Sequence, residues 1–384
     1  MSGIDLLDLA PFNASTEHAL FAELRDHAPV HFNEEPDGPG FWSLTRYEHV
    51  SSAARNHAQF LSGQGTQIKD RRAEGTGHPS VHNSDPPLHG TLRNIVLAAL
   101  SRHSIMQREG RIAEIAKQLV NAPAKDARFD FVDDIAIKFP MMVIADVLGV
   151  PADESERLVD WANLMSDVRA TNEEQAKARA SLFAYFRHLA DEKRKNPGDD
   201  VASALVAAGL EDEALDAYFI LLTVAGNETT RFLLTGGMAQ LARQPEAFSK
   251  LQADRSLIAP MTEEMCRFVS PVTHMRRTAS EDMDLFGTPI KKGAKVVLWF
   301  ASANRDERQF ATPQQLVIDR SPNPHMGFGQ GAHFCVGAHL ARLETRLFFE
   351  ALLDRVNQFE LLAEPERLPS NWFTGWTNMK MRWS

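Results

Sequence analysis

The chain of 384 residues has little cysteine, no excess of positive charge and no apolar run at its N-terminus. Two cysteines leave no disulfide framework of the kind found in small secreted domains. A net charge of −10 argues against nucleic acid as a partner. Residues 1–5 include no basic region followed by an apolar segment, which predicts neither a signal peptide nor a membrane anchor. With 43% hydrophobic and 24% charged residues, the composition is that of a globular, cytoplasmic protein with a large core.

One of the two cysteines stands in a glycine-punctuated loop that leads into a helix. Residues 328–337 read Phe-Gly-Gln-Gly-Ala-His-Phe-Cys-Val-Gly, and leucine and phenylalanine recur at helical spacing over residues 338–356. Cys335 therefore lies just ahead of a helix N-terminus, where free N–H groups and the helix dipole favour a thiolate. The three glycines of the loop permit positive φ and a close approach of the backbone to a flat ligand. The pattern predicts a thiolate metal ligand beside a large planar cofactor.

Two other interpretations of Cys335 explain the sequence less well. An isolated cysteine is commonly a small buried hydrophobic residue, but here an aromatic residue, three glycines and a histidine stand in fixed register with it. A structural zinc site needs four ligands, and the only other cysteine, Cys266, lies far away in the sequence.

A second informative segment is long and almost free of charge. Residues 215–241 read as a helix that is apolar on all sides and therefore buried, and it could extend roughly 40 Å. Asn227, Glu228 and Arg231 interrupt the apolar run well before the roughly 20 residues that a bilayer crossing needs. Gly226 is unfavourable inside a helix, and Glu228 is unfavourable if it is buried without a partner. Unfavourable residues at a buried site indicate function.

A third motif is an acid and an arginine three positions apart. Glu264 and Arg267 would share one face of a helix, and such a pair by itself is usually a solvated surface bridge of small value. The residues that follow make this pair more informative, because Pro271 and a strand-like stretch come next in the sequence.

Together these motifs resemble the cytochrome P450 superfamily. Residues 328–337 look like its haem-binding signature, residues 225–230 resemble its oxygen-activating motif, and residues 264–267 resemble its Glu-x-x-Arg helix. The resemblance spans nearly the whole chain and implies a single domain, residues 1–384, that is mainly α with a small β portion. Haem b would then lie between the long central helix and the helix that follows the cysteine loop, where a thiolate ligand pushes electron density onto the iron.

The resemblance implies roles for individual residues. Cys335 would be the axial ligand, Thr229 would hydrogen-bond the bound dioxygen, and Glu228 would relay protons towards it. Glu264 and Arg267 would form a buried structural pair, which a further arginine joins in many members. Residues 312–316, where that arginine is expected, offer glutamine instead, so a pair alone or an amide third partner is predicted.

The cofactor contacts implied by the resemblance include donors for the two haem propionates. His89 and Arg93 lie four residues apart and share a helix face, and arginine suits a carboxylate through paired hydrogen bonds. Arg276 is the alternative to Arg277. The full set of expected contacts is His89, Arg93, Ala225, Gly226, Arg277, Phe328, Gly329, His333 and Gly337.

The substrate pocket is expected to be mostly apolar. Residues 61–85, rich in glycine, serine and histidine, read as a long loop that covers the substrate. The other predicted wall residues are Leu221, Leu222, Val272, Thr273, His274, Trp372, Phe373 and Thr374. With His274 and Thr374 as hydrogen-bonding groups, a hydrophobic molecule with one or two polar handles is expected, and residues 275–278 and 323–327 resemble members that hydroxylate terpenoids, steroid side chains or branched lipids.

The predicted function is a monooxygenase that inserts one oxygen atom from O₂ into a C–H bond of a hydrophobic substrate. No linker to a fused reductase is visible, so electrons are expected from a separate 2Fe–2S ferredoxin and ferredoxin reductase, docked on the cysteine side near Arg93 and Arg342. We expect a monomer without nucleic-acid or membrane partners. Two alternatives stay open: another oxidation on the same haem, such as coupling, desaturation, O-demethylation or a peroxide-driven reaction, and a haem-containing carrier or sensor that does not turn its ligand over.

Overall fold

α-Helices make up most of the structure, a computed structural model that describes residues 3–69, 80–166 and 170–384. In chain order, α1 to α15 are Ala10–Asn13, Glu17–His27, Tyr47–Arg55, Leu88–Leu97, Arg102–Gln107, Glu109–Asn121, Lys138–Leu148, Ser155–Ser166, Asn172–Lys195, Val201–Ala207, Asp212–Arg243, Pro245–Ala253, Ile258–Val269, Phe300–Ala303 and Ala338–Arg355. A π-helical turn covers Val132–Ala136, and 3₁₀ turns cover Arg255–Leu257 and Gly331–His333.

The strands are short and form small sheets. In chain order, β1 to β12 are Val30–Asn33, Phe41–Leu44, Phe60–Leu61, Arg128–Asp130, His274–Ala279, Met283–Leu285, Thr288–Ile290, Lys295–Trp299, Phe359–Leu361, Glu366–Arg367, Trp376–Asn378 and Lys380–Trp383. The largest sheet has the order β1-β2-β8-β5-β3, with β2 and β8 parallel and the other pairs antiparallel. The prediction of a mainly α fold with a small β portion is confirmed.

The central helix α11 is 32 residues long and extends beyond the predicted segment at both ends. Asp212 and Glu213 stand in its first turn, where carboxylates complement the helix dipole. It ends at Arg243 because Pro245 starts the next helix. Helices α7, α9, α13 and α15 pack around it, which accounts for its apolar residues on every side. No helix of the described ranges, α11 included, combines the length and apolarity needed to span a bilayer.

The cysteine loop is held close to α3 by a glycine. Gly331 has φ +72°, and a Cβ at this position would lie 2.5 Å from the carbonyl oxygen of Ala54. Gly329 also uses positive φ, at +68°. Gly337 has φ −87°, so it does not need the conformational freedom predicted for all three glycines of this loop. Helix α15 then begins at Ala338, as the sequence predicts.

A buried ionic network ties α13 to the loop that precedes the cysteine signature. Glu264 and Arg267 are fully buried and joined by two 2.7 Å hydrogen bonds. The prediction of a pair alone is wrong, because Arg320 donates from Nε to Glu264 at 2.9 Å. An amide does join the network, but it is Asn323, which donates from Nδ2 to Glu264 at 3.2 Å, and not a glutamine of residues 312–316. The loop folds back so that the carbonyls of Pro313 and Gln315 accept from Arg267, which carries Arg320, further along the same loop, to the carboxylate.

Candidate functional site

A cavity of about 1160 Å³ lies between α11 and the cysteine loop. Further parts of its wall come from α4, α9, the start of α15, the region of β5 and the C-terminal turn near Trp372. Most of the wall is apolar, and charged side chains occur at a few defined places. The cavity brings together segments that are distant in the sequence, and each predicted residue can be located relative to it.

Cys335 faces this cavity. Its backbone N–H donates to the carbonyl oxygen of Phe328 at 2.8 Å, which fixes the turn of the loop. The Cys335 thiol is exposed to the cavity, but the surrounding protein shields it from bulk water and so raises its pKa, against an opposing hydrogen bond from the Gly337 backbone. The predicted help from the helix N-terminus therefore does not make a thiolate by itself, and a bound metal ion would have to stabilise the charge.

One face of α11 forms the wall opposite the loop. Ala225, Gly226 and Thr229 line the cavity, and the Thr229 hydroxyl donates to the Ala225 carbonyl at 2.8 Å. Although glycine is unfavourable inside a helix, α11 runs unbroken through Gly226. Glu228 does not line the cavity, because each helical residue is rotated by about 100° from the one before it.

Four nitrogen-bearing side chains meet at one end of the cavity. His89 and Arg93 of α4, Arg277 of β5 and His333 of the cysteine loop all line it, and the two imidazole rings lie 4.2 Å apart. Burial, followed by the positive charge of Arg277, lowers the pKa of His333 to about 3. Burial also lowers the pKa of Arg277 to about 10.

These four side chains fit a ligand that carries two carboxylates. The Nε2 atom of His89 is buried without a hydrogen-bonding partner in the described structure, and burying such groups is unfavourable unless an anion or acceptor reaches them. The haem predicted from the sequence would bring two propionates. Arg276 is not the better candidate, because it does not line the cavity. Its guanidinium bonds instead to Thr278 Oγ1 and the Gln67 carbonyl.

Of the eight residues predicted to form the substrate wall, five line this cavity and three do not. Leu221, Leu222, Val272, Trp372 and Phe373 line the cavity. Thr273, His274 and Thr374 do not line it.

For His274, the first residue of β5, the reason is that neighbouring side chains of a strand point to opposite sides. Thr273 and Thr374 are held away from the cavity by their own contacts. The His274 ring packs against Trp299 at 4.4 Å and bonds to the Asn371 carbonyl, and Thr273 Oγ1 also bonds to that carbonyl. Thr374 is buried beside Pro271, whose carbonyl accepts its backbone N–H. On β5, the cavity instead receives Met275 and Arg277.

Several wall residues were not predicted from the sequence. Arg187, Glu213 and Asp216 bring charge to the wall, and Ala180, Phe183 and Ala184 line it from the same face of α9 as Arg187. Their spacing of three and four residues predicts that they share one face of a helix. It does not predict that this face lines the cavity. Of the expected covering loop, residues 70–79 lie outside the described residues, and positions 66, 67 and 80–83 on either side line the cavity.

Glu344 of α15 is another wall residue that sequence reasoning missed. Its side chain lines the cavity although it is only 1% exposed, and its Oε2 atom has no partner among the described residues. Burial raises the pKa of this carboxyl to about 8, against a smaller opposing effect of a hydrogen bond with Thr230. Glu344 is therefore mostly neutral near pH 7 and holds a proton inside the site.

The two arginines expected at a docking surface are engaged elsewhere. Arg342 forms hydrogen bonds of 2.6 and 2.8 Å with the carboxylate of Glu263, and its guanidinium lies over the Phe328 ring. The paired Arg342 guanidinium and His325 lower the pKa of Glu263 to about 2, despite its burial. Arg93 faces the cavity. Arg342 is therefore paired rather than free, whereas Arg93 lines the cavity, and a docking role for either arginine stays a prediction.

Comparison with known proteins gives consistent matches over the whole chain. The cytochrome P450 family model matches residues 158–376. The methyl-branched lipid omega-hydroxylase of Mycobacterium tuberculosis is 36% identical over 98% of this chain and 94% of its own length. The steroid C26-monooxygenase of Rhodococcus jostii is 34% identical over 97% of this chain and 83% of its own length.

Solved structures with the same fold are equally well covered. The crystal structure of CYP108D1 from Novosphingobium aromaticivorans superposes with a TM-score of 0.89 at 31% identity, over 99% of this chain and 97% of that chain. Mycobacterium marinum CYP268A2, in complex with pseudoionone, superposes with a TM-score of 0.88 at 34% identity, over 96% of this chain and 95% of that chain.

Proposed function

The chain belongs to the cytochrome P450 family and is a monooxygenase, and from this we propose that it hydroxylates a C–H bond of a small terpenoid, steroid or branched-lipid substrate with electrons from a ferredoxin. The observation that carries the proposal is one cavity lined by Cys335, by Thr229 and by the cluster of His89, Arg93, Arg277 and His333. Relatives that act on branched lipids and steroids support a hydrophobic substrate. We further propose that residues 1–384 form a single domain and act as a monomer.

The residues around the cavity suit haem b. Cys335 would hold the iron, and His89, Arg93, Arg277 and His333 would hold the propionates. The haem, when bound, supplies the activation of dioxygen. The protein supplies an apolar enclosure that excludes water and side chains that hold protons at defined atoms.

Protons would reach the reacting end of the cavity from side chains of α11 and α15. The Thr229 hydroxyl can give up its bond to Ala225 and turn into the cavity. Glu228, half-exposed and next to Thr229 in the sequence, would exchange protons with solvent. Glu344 would hold a further proton inside the wall, because burial keeps its pKa near 8.

Replacing Thr229 with alanine should uncouple the reaction. Without the hydroxyl, electrons are consumed while peroxide is released. We expect the amount of product per NAD(P)H to fall about tenfold, which corresponds to ~1.4 kcal/mol in the competition between product formation and peroxide release. Product and peroxide would be quantified together with ferredoxin and its reductase. Thr223→Ala is the matched control, because Thr223 makes the same 2.8 Å bond to a carbonyl one turn back on α11 but lies off the cavity wall. Tightly coupled turnover in Thr229→Ala would exclude Thr229 from proton delivery.

The electron source and the reaction type can be separated in one comparison. Turnover is measured with a 2Fe–2S ferredoxin, its reductase and NAD(P)H, and separately with hydrogen peroxide alone. We expect hydroxylated product only in the first mixture. Product with peroxide alone would replace the ferredoxin proposal, and coupled, desaturated or demethylated products would replace hydroxylation. Ligand binding without any product would instead favour a carrier or sensor.

Glu344→Gln should flatten the pH dependence of stability. The pKa of Glu344 in the folded protein, about 8, lies above its ordinary value of 4.5. The folded chain therefore binds more protons than the unfolded chain between these values, and stability falls as pH rises through this window. The expected loss is on the order of 3 kcal/mol at pH 7 relative to acid conditions.

The measurement for Glu344 is thermal unfolding of wild type and variants between about pH 5 and pH 8. Wild type should lose stability towards pH 8 relative to Glu344→Gln. Glu350→Gln is the control, because Glu350 lies on the same helix and pairs with Arg346 nearer the surface. Parallel curves for wild type and Glu344→Gln would show that Glu344 does not hold its proton in the folded protein.

A further inference from the structure

His82 is a wall residue to which the proposed function gives no role. It lies in the expected covering loop, ahead of α4, and lines the cavity. His82 is exposed, yet the surrounding protein lowers its pKa to about 4, with a smaller effect of the positive charge of Arg277. The exposed surface of His82 therefore faces the enclosed cavity rather than bulk water, and its ring is neutral near pH 7.

A compact turn holds the His82 ring in place. The carbonyl oxygen of Ser80 accepts from the Asn83 backbone N–H at 3.2 Å and from the Ser84 hydroxyl at 2.8 Å. The backbone N–H of Ser80 donates to Oδ1 of Asn83 at 2.6 Å, and the Ser80 hydroxyl oxygen lies 2.9 Å from the same atom. Nδ1 of His82 lies 2.7 Å from the Ser80 hydroxyl oxygen. Because Ser80 is buried, His82 is anchored to a fixed part of the protein.

These contacts assign the ring hydrogen to one nitrogen. A backbone N–H can only donate, so the Asn83 atom that it meets is the amide oxygen, an acceptor. The single hydrogen of the Ser80 hydroxyl points to that oxygen, because two acceptors at this distance would otherwise repel each other. The hydroxyl oxygen must then accept from His82, so Nδ1 carries the hydrogen. Nε2 of the neutral ring keeps a lone pair and has no partner among the described residues.

A free acceptor in an enclosed cavity discriminates between ligands. An apolar molecule that fills the cavity displaces the water that would otherwise donate to Nε2 of His82. A ligand with a hydroxyl group replaces this bond, whereas a ketone or an ether brings only acceptors and leaves Nε2 unsatisfied. The propionates of the proposed haem do not satisfy Nε2 either, because a carboxylate has no hydrogen to donate.

We propose that His82 determines substrate specificity: it selects apolar molecules that carry a hydroxyl group, such as terpenoid alcohols, by accepting a hydrogen bond from that group at Nε2. Ser80 is the positioning residue, because its hydroxyl holds the ring in the tautomer that presents a lone pair to the cavity. The inference rests on the proposed function, since it takes this cavity as the substrate pocket. It concerns which molecules bind and not which carbon atom is oxidised.

The test compares three ligands with one carbon skeleton: β-ionol, its methyl ether and β-ionone. Each is titrated into the haem-loaded protein, and binding is followed both by the shift of the haem spectrum from low to high spin and by calorimetry. The alcohol should bind about tenfold more tightly than the ether or the ketone. In His82→Phe this difference should disappear, because phenylalanine keeps a ring but offers no acceptor. Wild type that does not prefer the alcohol, or an equal preference in His82→Phe, would overturn the proposal.

Further variants separate a hydrogen bond from a change of shape. His82→Gln retains an acceptor and should keep most of the alcohol preference, and a loss as large as in His82→Phe would contradict the proposal. Ser80→Ala removes the acceptor for Nδ1, so Nε2 can carry the hydrogen instead and the alcohol-to-ketone ratio should fall. An unchanged ratio in Ser80→Ala would reject the assigned tautomer. His103→Phe is the matched control, because His103 is exposed, lies near Gln107 at 3.2 Å and does not line the cavity.

Turnover separates this inference from the proposed function. With ferredoxin, its reductase and NAD(P)H, kcat/KM for product formation should be highest for the alcohol in wild type and should lose this ranking in His82→Phe. Product formed from all three ligands with equal kcat/KM would reject selection by His82 and leave the monooxygenase standing. A preference for binding the alcohol that depends on His82, without product from any of the three ligands, would retain the inference and contradict the proposed function.

Discussion

Replacing Cys335 with serine is expected to abolish the thiolate signature of the reduced carbon-monoxide complex and, with it, monooxygenase activity. Serine keeps the size of the side chain but offers an alcohol in place of a thiol, so the ligand that pushes electron density onto the iron is lost. The Cys335 side chain faces the cavity, and its backbone stays anchored to Phe328, so the loop should keep its conformation. We expect activity to fall at least about a thousandfold, or ~4 kcal/mol.

The chain contains its own control for this experiment. Cys266 is the only other cysteine and also lines the cavity, but burial strongly raises the pKa of its thiol. Its backbone carbonyl packs close to Gly327. Because alanine leaves this backbone contact unchanged, Cys266→Ala is the conservative choice. This variant should keep the wild-type carbon-monoxide spectrum. An unaltered spectrum in Cys335→Ser, or a lost thiolate band in Cys266→Ala, would move the ligand assignment away from Cys335.

Glu264→Gln should be strongly destabilising although it is a conservative change. Glu264 is fully buried and accepts hydrogen bonds from both Arg267 and Arg320. The amide leaves two buried guanidinium groups without a compensating charge, and breaking a buried pair in this way costs about 3–5 kcal/mol. The change would also release the loop before the cysteine signature, since the Val317 N–H donates to the same carboxylate. We therefore expect poor haem retention as well as a lower unfolding midpoint.

The measurement is equilibrium unfolding in urea, with haem absorbance and helical circular dichroism followed in parallel. Asp191→Asn is the matched control, because Asp191 and Arg194 are also three residues apart on a helix but are exposed to solvent. That change should cost less than about 1 kcal/mol. A loss below about 1 kcal/mol in Glu264→Gln as well would show that the network contributes little to stability.

The contrast between predicted and missed wall residues has a simple geometric origin. Leu221, Leu222 and Thr229 could be assigned from the sequence because they belong to a recognisable helical motif. His274 was assigned to the wrong side of its strand. In an extended segment, an error of one residue in the alternation reverses the side to which a side chain points. Its true neighbour, Trp299, is decided by the pairing of β5 with β8.

The third partner of the buried ion pair was missed for a related reason. Arg320 lies beyond the stretch in which an arginine was sought, and it reaches Glu264 only because the loop folds back on itself. A loop path depends on many weak contacts and backbone hydrogen bonds, which no short motif records. The pairing of Arg187 with Asp216 has the same character, because it requires α9 and α11 to pack at one particular position.

The sequence by itself determined the family, the mainly helical fold and the long central helix. It also singled out Cys335 as the proposed metal ligand. These follow from spacing along the chain, since glycine turns, helix starts and apolar periodicity are local properties. Only the tertiary structure decided which side chains share the cavity, which of two adjacent arginines faces it, and that a buried Glu344 holds a proton there. Burial, pKa and the meeting of distant segments depend on packing in three dimensions, and a linear pattern of residues does not contain that information.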